Sequence, residues 1–303
     1  MKSIGIDTSN YTTSVCAYNG AEISDKRRII PVKRGERGIR QSEGVFEHVR
    51  ALPRLYAELD AAGVGAVGVS ARPRNADGSY MPVFLAGKGY AEVIAKTAGV
   101  PLYEFSHQDG HIAAGILSGK CDCLLEGDFA ALHISGGTTE FLKCRYNGYN
   151  FDVEIIGGTK DISAGQLIDR VGVYMGTEFP AGRAVEALAE QSEKKLKLPV
   201  SVNGGYINFS GLENKARFLL ETESKAVVSR AVLDAVGESL IKAAKSIFNK
   251  IESKRLLAVG GVASNKIIRG ALSANLNADV YFASPEMSSD NAAGIAYLAY
   301  MQK

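Results

Sequence analysis

The chain has 303 residues, of which 46% are hydrophobic and 22% charged, and its formal net charge is +2. This composition supplies buried cores for about two domains and excludes an intrinsically disordered protein. No apolar run reaches the roughly 18 residues of a membrane span, and residues 1–9 are typical of a strand and not of a signal peptide. We therefore expect a cytoplasmic protein with no membrane partner.

The first half of the chain predicts a strand triplet followed by alternating helices and strands. Asn19-Gly20 is a hairpin signal between the second and third strands. The predicted strands are residues 3–9, 12–20, 21–30, 66–71 and 101–105, and the predicted helices are residues 42–63, 82–99 and one that contains His107 and His111.

The second half repeats this order, with Asn147-Gly148 at the corresponding turn. A polar strand pair follows around Gly204-Gly205, and then a turn at residues 209–211. The predicted strands are the segments FAALHISGG, TEFLKCRYNG, NFDVEIIGG, RLLAVGGV and ADVYFAS, and the predicted helices are residues 163–175, 184–195, 227–254, 264–275 and 290–301.

Two such units indicate a duplicated α/β fold in which helices cover each sheet. We expect two lobes, residues 1–120 and residues 121–303, with a central nucleotide cleft and with the final helix packed back on the first lobe. The boundary is predicted near residues 118–127, where the residues become small and polar.

Two hairpin loops that follow buried strands carry candidate phosphate-binding residues. Asp7, Thr8 and Ser9 follow the first strand, and residues 135–139 (SGGTT) occupy the same place in the second half. Glycine lets backbone N–H groups approach a phosphate, hydroxyls add donors, and an acid such as Asp7 can hold magnesium. An ordinary hairpin is the competing interpretation of each loop alone.

A third junction, Gly260-Gly261, ends a buried strand, and Ser264-Asn265 opens the next helix. This arrangement suits an adenosine or ribose that lies against the backbone. A plain turn capped by Ser264 explains the same residues equally well.

His107 and His111 are four residues apart on a predicted helix, so both imidazoles lie on one face. This spacing is typical of two ligands to one metal ion, although a surface pair is the simpler alternative. Asp290, at the start of the final helix, is either an oxygen ligand or an N-cap.

His133 lies two residues before Ser135, so in a strand the two side chains face the same side. If Ser135 faces a nucleotide, His133 faces the cleft and becomes a fourth ligand. A buried histidine bonded within the sheet is the alternative.

Several ordered motifs together resemble one family. The chain is similar to the transferase subunits of tRNA threonylcarbamoyladenosine synthesis, a glycoprotease-like family within the superfamily of actin and sugar kinases. The motifs that carry the resemblance are GIDTSNYTTS, SHQDGH, HISGGTTE, SAGQLIDRVG, FPAG, NFSGLENKA, AVGGVASN and SSDNAAGIAY.

The resemblance implies an actin-like duplicated fold and transfer of threonylcarbamoyl from an adenylate to the exocyclic amine of the tRNA adenosine beside the anticodon. It implies one transition-metal ion, iron or zinc, ATP or an acyl-adenylate with magnesium, and tRNA, accessory subunits or a dimer as partners. The implied metal ligands are His107, His111 and Asp290. The implied nucleotide contacts are His133, Ile134, Ser135, Gly136, Gly137, Asp169, Gly182 and Asn265, with Gly260 and Gly261 from the spacing argument above.

The chain departs from the family pattern at three places that are expected at the cleft. Residues 72–74 read Arg-Pro-Arg where the family has Gly-Pro-Gly, residues 181–182 read Ala-Gly in place of paired glycines, and residues 7–10 read Asp-Thr-Ser-Asn in place of Glu-Thr-Ser-Cys. We therefore take Asp7, Ser9, Arg72 and Arg74 as the candidate catalytic and substrate-selecting residues.

Four other functions remain open or are disfavoured. A carbamoyltransferase that acts on a small molecule and a non-catalytic nucleotide-binding scaffold are the alternatives. A metallopeptidase is disfavoured because the chain lacks a His-Glu-x-x-His motif, and a sugar kinase has no use for the histidine pair.

Overall fold

A computed structural model describes residues 1–9, 11–31 and 39–302. The chain divides into two compact units. The first comprises Met1–Asp122, Tyr146–Asp152 and Ser289–Lys303, and the second comprises Cys123–Arg145 and Val153–Ser288.

The helices and strands follow the predicted order. The first half contains β1 (Lys2–Asp7), β2 (Thr12–Tyr18), β3 (Ile23–Ile29), α1 (Gln41–Ala57), β4 (Val64–Arg72), α2 (Phe84–Ala98), β5 (Leu102–Ser106) and α3 (His107–Gly119). The second half contains β6 (Asp128–Ile134), β7 (Thr139–Tyr146), β8 (Phe151–Thr159), α4 (Ala164–Tyr174), α5 (Gly182–Glu190), β9 (Ser201–Asn203), β10 (Tyr206–Asn208), α6 (Ser210–Leu219), α7 (Lys225–Phe248), β11 (Arg255–Val259), α8 (Lys266–Asn275), β12 (Asp279–Phe282) and α9 (Ala293–Met301).

The two sheets repeat one topology. The first sheet has the order β3-β2-β1-β4-β5, and the second has the order β12-β11-β6-β7-β8-β10-β9. In each, the leading strand is antiparallel to the next strand of its hairpin and parallel to a later strand: β1 pairs with β2 and β4, and β6 pairs with β7 and β11. The predicted duplication is confirmed, because β8-β7-β6-β11-β12 reproduces the order of the first sheet.

The sequence patterns did not predict helix α6. Residues 209–211 predict a turn, but α6 begins at Ser210 and buries Leu212 and Ala216. The carboxylate of Asp161 accepts hydrogen bonds from the backbone N–H groups of Phe209 and Ser210, at 2.9 Å each. A side chain about 50 residues away therefore supplies acceptors at the start of this helix, so no local cap marks it in the sequence.

The helix α1 is shorter than predicted, because it ends at Ala57 and not at residue 63. Asp60 accepts a hydrogen bond from Ala62 N–H at 3.1 Å, which closes a local turn. Gly63 follows at a φ of +69°, a conformation that glycine adopts readily.

The closing helix α9 packs in the first unit against β1, β2, β4 and α3. Its Gly294 meets Gly110 of α3 so closely that a Cβ on Gly294 would overlap the Gly110 carbonyl oxygen. The bare backbones therefore allow the two helices to touch. This contact brings Asp290, just before α9, to the start of α3.

The core of the second unit lies around α7, the longest helix, which packs against α5 and α8. Val228, Val232, Leu240 and Ala243 are fully buried on it. In the ranges that the structure describes, neither α7 nor any other helix combines the length and apolar character needed to cross a membrane.

Candidate metal centre and nucleotide site

The histidine pair begins α3. The Ser106 side chain accepts from Asp109 N–H at 3.0 Å, and the Asp109 carboxylate accepts from Ser106 N–H at 2.8 Å. This capping box fixes the first turn of the helix at His107. The His107 and His111 rings lie with centroids 4.4 Å apart and planes at 72°, so the predicted common face is confirmed.

Asp290 completes a three-residue cluster with these histidines. Its Oδ1 lies 3.6 Å from His107 Nε2 and 3.3 Å from His111 Nε2. One ligand atom from each residue lies within 4.8 Å of the others, and no second such cluster occurs among the described residues. Two imidazoles and a carboxylate are a donor set that suits zinc or iron better than magnesium.

Asp7 lies behind the histidine pair, a position that the sequence analysis did not predict. Its buried carboxylate accepts from Ser70 Oγ at 2.7 Å and from Ser9 N–H at 2.8 Å. His107 Nδ1 lies 2.7 Å from Asp7 Oδ2, which leaves Nε2 directed to Asp290. A carboxylate behind a ligating histidine fixes the orientation and tautomer of the ring.

The pKa values of His107, Asp7 and Asp290 depend on one another because their side chains are in contact. Burial is the largest single influence on the pKa of His107 and lowers it, but the carboxylates of Asp7 and Asp290 outweigh burial and raise this pKa to about 10. Burial alone would raise the pKa values of Asp7 and Asp290, but their hydrogen-bonding and charged neighbours outweigh it. His107 and Ser9 lower the pKa of Asp7, and His107 and His111 lower that of Asp290. The buried carboxylate of Asp7 and the half-buried carboxylate of Asp290 thus flank one positive charge, an environment that also suits a metal cation.

This coupling predicts a pH-dependent stability for the metal-free protein. A folded pKa of about 10 for His107, against 6.5 for an ordinary histidine, adds stability that is complete below pH 6.5 and is lost as pH rises toward 10. The unfolding temperature in chelator should therefore fall across this window. His107→Gln should flatten the same profile, and an equal slope in both proteins would contradict the assignment.

Arg72 and Arg74 lie beside the first turn of α3. Arg72 pairs with Ser106 across β4 and β5, and Gln108 N–H donates to the Pro73 carbonyl at 3.1 Å. The Arg72 guanidinium donates to Asn75 Oδ1 through Nε at 3.2 Å and Nη2 at 2.9 Å. Arg74 donates its N–H to Ser79 Oγ.

Asn75 is in turn fixed by the helix start. Its Nδ2 donates to both carboxylate oxygens of Asp109, at 2.9 and 2.8 Å. Asp109, which belongs to the capping box of α3, therefore also holds Asn75, and Asn75 orients Arg72. Asn75, Asp109 and Ser70 are site residues that the sequence analysis missed, although the S-x-x-D pattern of the capping box was a usable signal for Asp109.

In the second unit, residues 135–139 form a tight turn. Ser135 N–H donates to the Thr138 carbonyl at 2.8 Å, and Thr138 N–H donates to Ser135 Oγ at 3.1 Å. Ser163, the N-cap of α4, donates its hydroxyl to the Gly136 carbonyl at 2.7 Å. The loop is thus seated at the start of α4, and helix starts favour anions.

The candidate glycines separate into two classes. A Cβ on Gly136, Gly137, Gly182 or Gly261 would meet no described atom within 4 Å. At Gly260, in contrast, φ is +96° and a Cβ would overlap the Ile134 carbonyl oxygen. Gly260 is therefore required by the fold itself, whereas the other four are open to a ligand.

Asp169 and Asn265 both bind helix starts. Asp169 Oδ1 accepts from Ala181 N–H at 2.8 Å, beside Gly182 at the start of α5, and burial raises the pKa of Asp169 above its usual value despite this bond. Asn265 Oδ1 accepts from Ile268 N–H at 3.0 Å and caps α8, the role that the sequence suggested for Ser264.

His133 lies on β6 in the second unit, opposite Val259 on one side and Glu140 on the other. His133 and Ser135 are half-buried and Ile134 is fully buried, in agreement with the expected alternation. The His133 ring lies beside Gly260. Its role as a metal ligand stays a prediction.

The fold matches solved structures of the actin and sugar-kinase type. A full-length HypF in its phosphate- and nucleotide-bound form superposes with a TM-score of 0.63 at 15% identity, and covers 99% of this chain and 46% of its own. A Streptomyces griseus ROK family glucokinase in complex with glucose and AMPPNP gives a TM-score of 0.52 at 14% identity, with 99% of both chains covered. The expected fold class is confirmed.

Sequence comparison identifies the family. Residues 51–297 match the profile of the family described as TsaD, tRNA N6-adenosine threonylcarbamoyltransferase. Two relatives of that name from strains of Thermus thermophilus are each 31% identical, over 98% of this chain and 91% and 90% of their own length. The chain therefore belongs to the tRNA N6-adenosine threonylcarbamoyltransferase family.

Proposed function

We propose that this chain transfers a threonylcarbamoyl group from an acyl-adenylate to the exocyclic amine of a tRNA adenosine. The observation that carries the proposal is the family match over residues 51–297 together with 31% identity along nearly the whole chain. In this reaction the amine nitrogen bonds to the acyl carbonyl carbon, the bond from that carbon to the phosphate oxygen breaks, AMP leaves and the amine loses one proton.

The acyl-adenylate or ATP binds the second unit in this proposal. Its phosphates lie against Ser135, Gly136 and Gly137, where the backbone is free of a covering side chain. Its nucleoside lies against Asp169, Gly182, Gly261 and Asn265. Gly260 has a structural role instead, because only glycine fits the backbone turn there. The support is the open space above four of these glycines and the helix starts beside them.

The metal centre is formed by His107, His111 and Asp290, with iron or zinc as the ion. A bound ion would supply Lewis-acid polarisation of the acyl carbonyl. Asp7 holds the His107 ring through Nδ1 and so keeps Nε2 available as a ligand. Ser70 and Ser9 in turn hold the Asp7 carboxylate.

Arg72 and Arg74 select the anionic donor in this proposal. A guanidinium recognises carboxylates and phosphates in a planar, two-pronged manner. Asn75 orients the Arg72 guanidinium, which lowers the entropy lost when a ligand binds. Accessory subunits, a dimer and a cytoplasmic location stay predictions from the sequence.

The reaction predicts a specific nucleoside product. Purified chain, supplied with threonylcarbamoyl-adenylate and unmodified tRNA, should form threonylcarbamoyladenosine that mass spectrometry of the digested tRNA detects. His111→Ala should reduce product formation by about 100-fold, because loss of even a residue that supports a metal ligand can cost this much activity. A tRNA mixture lacking adenosine beside the anticodon is the negative control.

Two other results would favour the alternatives. Consumption of the adenylate with no tRNA product would support a small-molecule acceptor. Adenylate binding without any turnover, tested also with partner subunits added, would support a nucleotide-binding scaffold.

A further inference from the structure

The backbone that carries Asp290 is held from strand β3. Arg27 Nη1 donates to Ser289 Oγ at 2.8 Å and to the Asp290 carbonyl oxygen at 3.4 Å. Arg27 Nε binds Asp25 Oδ2 at 2.7 Å, and the Asp25 side chain is only 8% exposed. The Arg27 guanidinium therefore connects Asp25 on β3 to the metal-centre residue Asp290 and to Ser289, which precedes it.

The same acid reaches the start of α9 by a second route. Asp25 Oδ1 accepts from Ser14 Oγ at 3.1 Å, and Ser14 Oγ accepts from Ala292 N–H at 2.8 Å. Ser14 and Arg27 are directly paired across β2 and β3. The segment from Ser289 to Ala292 is therefore held at one end by Arg27 and at the other by Ser14, and Asp25 binds both of these side chains.

We propose that Arg27, oriented by Asp25, is a positioning residue for the metal ligand Asp290. The inference rests on the metal site of the proposed function. Asp290 lies before α9, whose N-cap Ala292 makes no side-chain cap hydrogen bond. Within its own segment, Asn291 accepts from Ala293 N–H at 2.9 Å and donates to the Ser289 carbonyl at 2.8 Å, and the Asp290 backbone takes further support from β2 and β3. Arg27 and Ser14 supply that support through the backbone, and the Asp290 carboxylate stays directed at His107 and His111.

The direction of the effect separates this role from simple electrostatics. A cation near a metal site disfavours a second cation, so an Arg27 that acted only through its charge would weaken metal binding, and its removal would tighten it. An Arg27 that positions Asp290 strengthens metal binding, and its removal would weaken it. The paired Asp25 offsets much of the Arg27 charge.

The test is a metal titration that does not depend on catalysis. Full-length protein is freed of metal, and its affinity for zinc is measured by competition with a chromophoric chelator. Arg27→Met should raise the zinc Kd by about tenfold, because loss of a residue that holds a metal ligand in place typically weakens metal binding by at least this factor. Arg28→Met is the matched control, because Arg28 lies on the same strand and its guanidinium pairs with Glu47, at 3.9 Å, and not with the segment before α9 in the part of the chain that the structure describes.

A double-mutant cycle identifies the route of the effect. If Arg27 acts through Asp290, Arg27→Met should cause no further loss in an Asp290→Ala background. Equal losses in both backgrounds, an unchanged or lower Kd in Arg27→Met, or a wild-type chain that binds no zinc would each overturn the proposal. Because zinc binding is measured directly, loss of the metal role is distinguished from absence of tRNA modification.

Discussion

Replacement of both histidines, in His107→Ala/His111→Ala, is expected to reduce bound transition metal from about one ion per chain to a trace, because Asp290 alone offers a single carboxylate. Elemental analysis of protein prepared without chelator measures this directly. The double variant also removes the histidine partner of the buried Asp7 carboxylate, which keeps its hydrogen bonds from Ser70 and Ser9, and breaking a buried ion pair costs up to about 3–5 kcal/mol.

The single variant His111→Ala separates metal loss from unfolding. It keeps the contact of 2.7 Å between His107 and Asp7, so its unfolding temperature in chelator should stay near that of the unchanged protein. Gln108→Ala, on the same helical turn, is the control and should retain metal. A His111→Ala protein with full metal content would show that the pair is not a ligand set.

Gly137→Val and Gly261→Val are expected to weaken ATP or adenylate binding by at least about 100-fold, equivalent to ~2.7 kcal/mol. Neither glycine has a left-handed φ, and neither Cβ would meet a described atom within 4 Å. The fold therefore leaves room for a Cβ at both positions, while the methyl groups of valine are expected to occupy the space that a phosphate or ribose needs. Isothermal calorimetry measures the affinity, and circular dichroism checks the fold.

Two further glycines make this experiment selective. Gly270 on α8 is equally open, lies outside the candidate site and should tolerate valine with unchanged affinity. Gly260→Val should instead destabilise the protein, because its φ of +96° and the nearby Ile134 carbonyl leave no room for a side chain. Unchanged nucleotide affinity in both Gly137→Val and Gly261→Val would refute the proposed nucleotide site.

The sequence predicted the repeated architecture because its signals are local. The hairpins at Asn19 and Asn147 each close through an asparagine side chain that accepts two backbone N–H groups. The spacing of His107 and His111 sets their common face on any α-helix. These features need no knowledge of distant residues, so periodicity and turn chemistry reveal them.

Contacts between distant parts of the chain could not be predicted in the same way. The start of α6 depends on Asp161, and the Asp290 backbone depends on Arg27, more than 200 residues earlier in the chain. Asp7, which its loop indicates as a phosphate or magnesium residue, lies against His107, 100 residues away.

Spacing along one element can be read from the sequence, so the order of most strands and helices, their duplication and the common face of His107 and His111 could be predicted, whereas the helix at Ser210 could not. Tertiary packing sets which acid faces which histidine and which glycines are open. The physical reason is that hydrogen bonds and close packing act over a few ångströms, and the chain brings Asp7, His107 and Asp290 to that distance only when β1, α3 and α9 pack together.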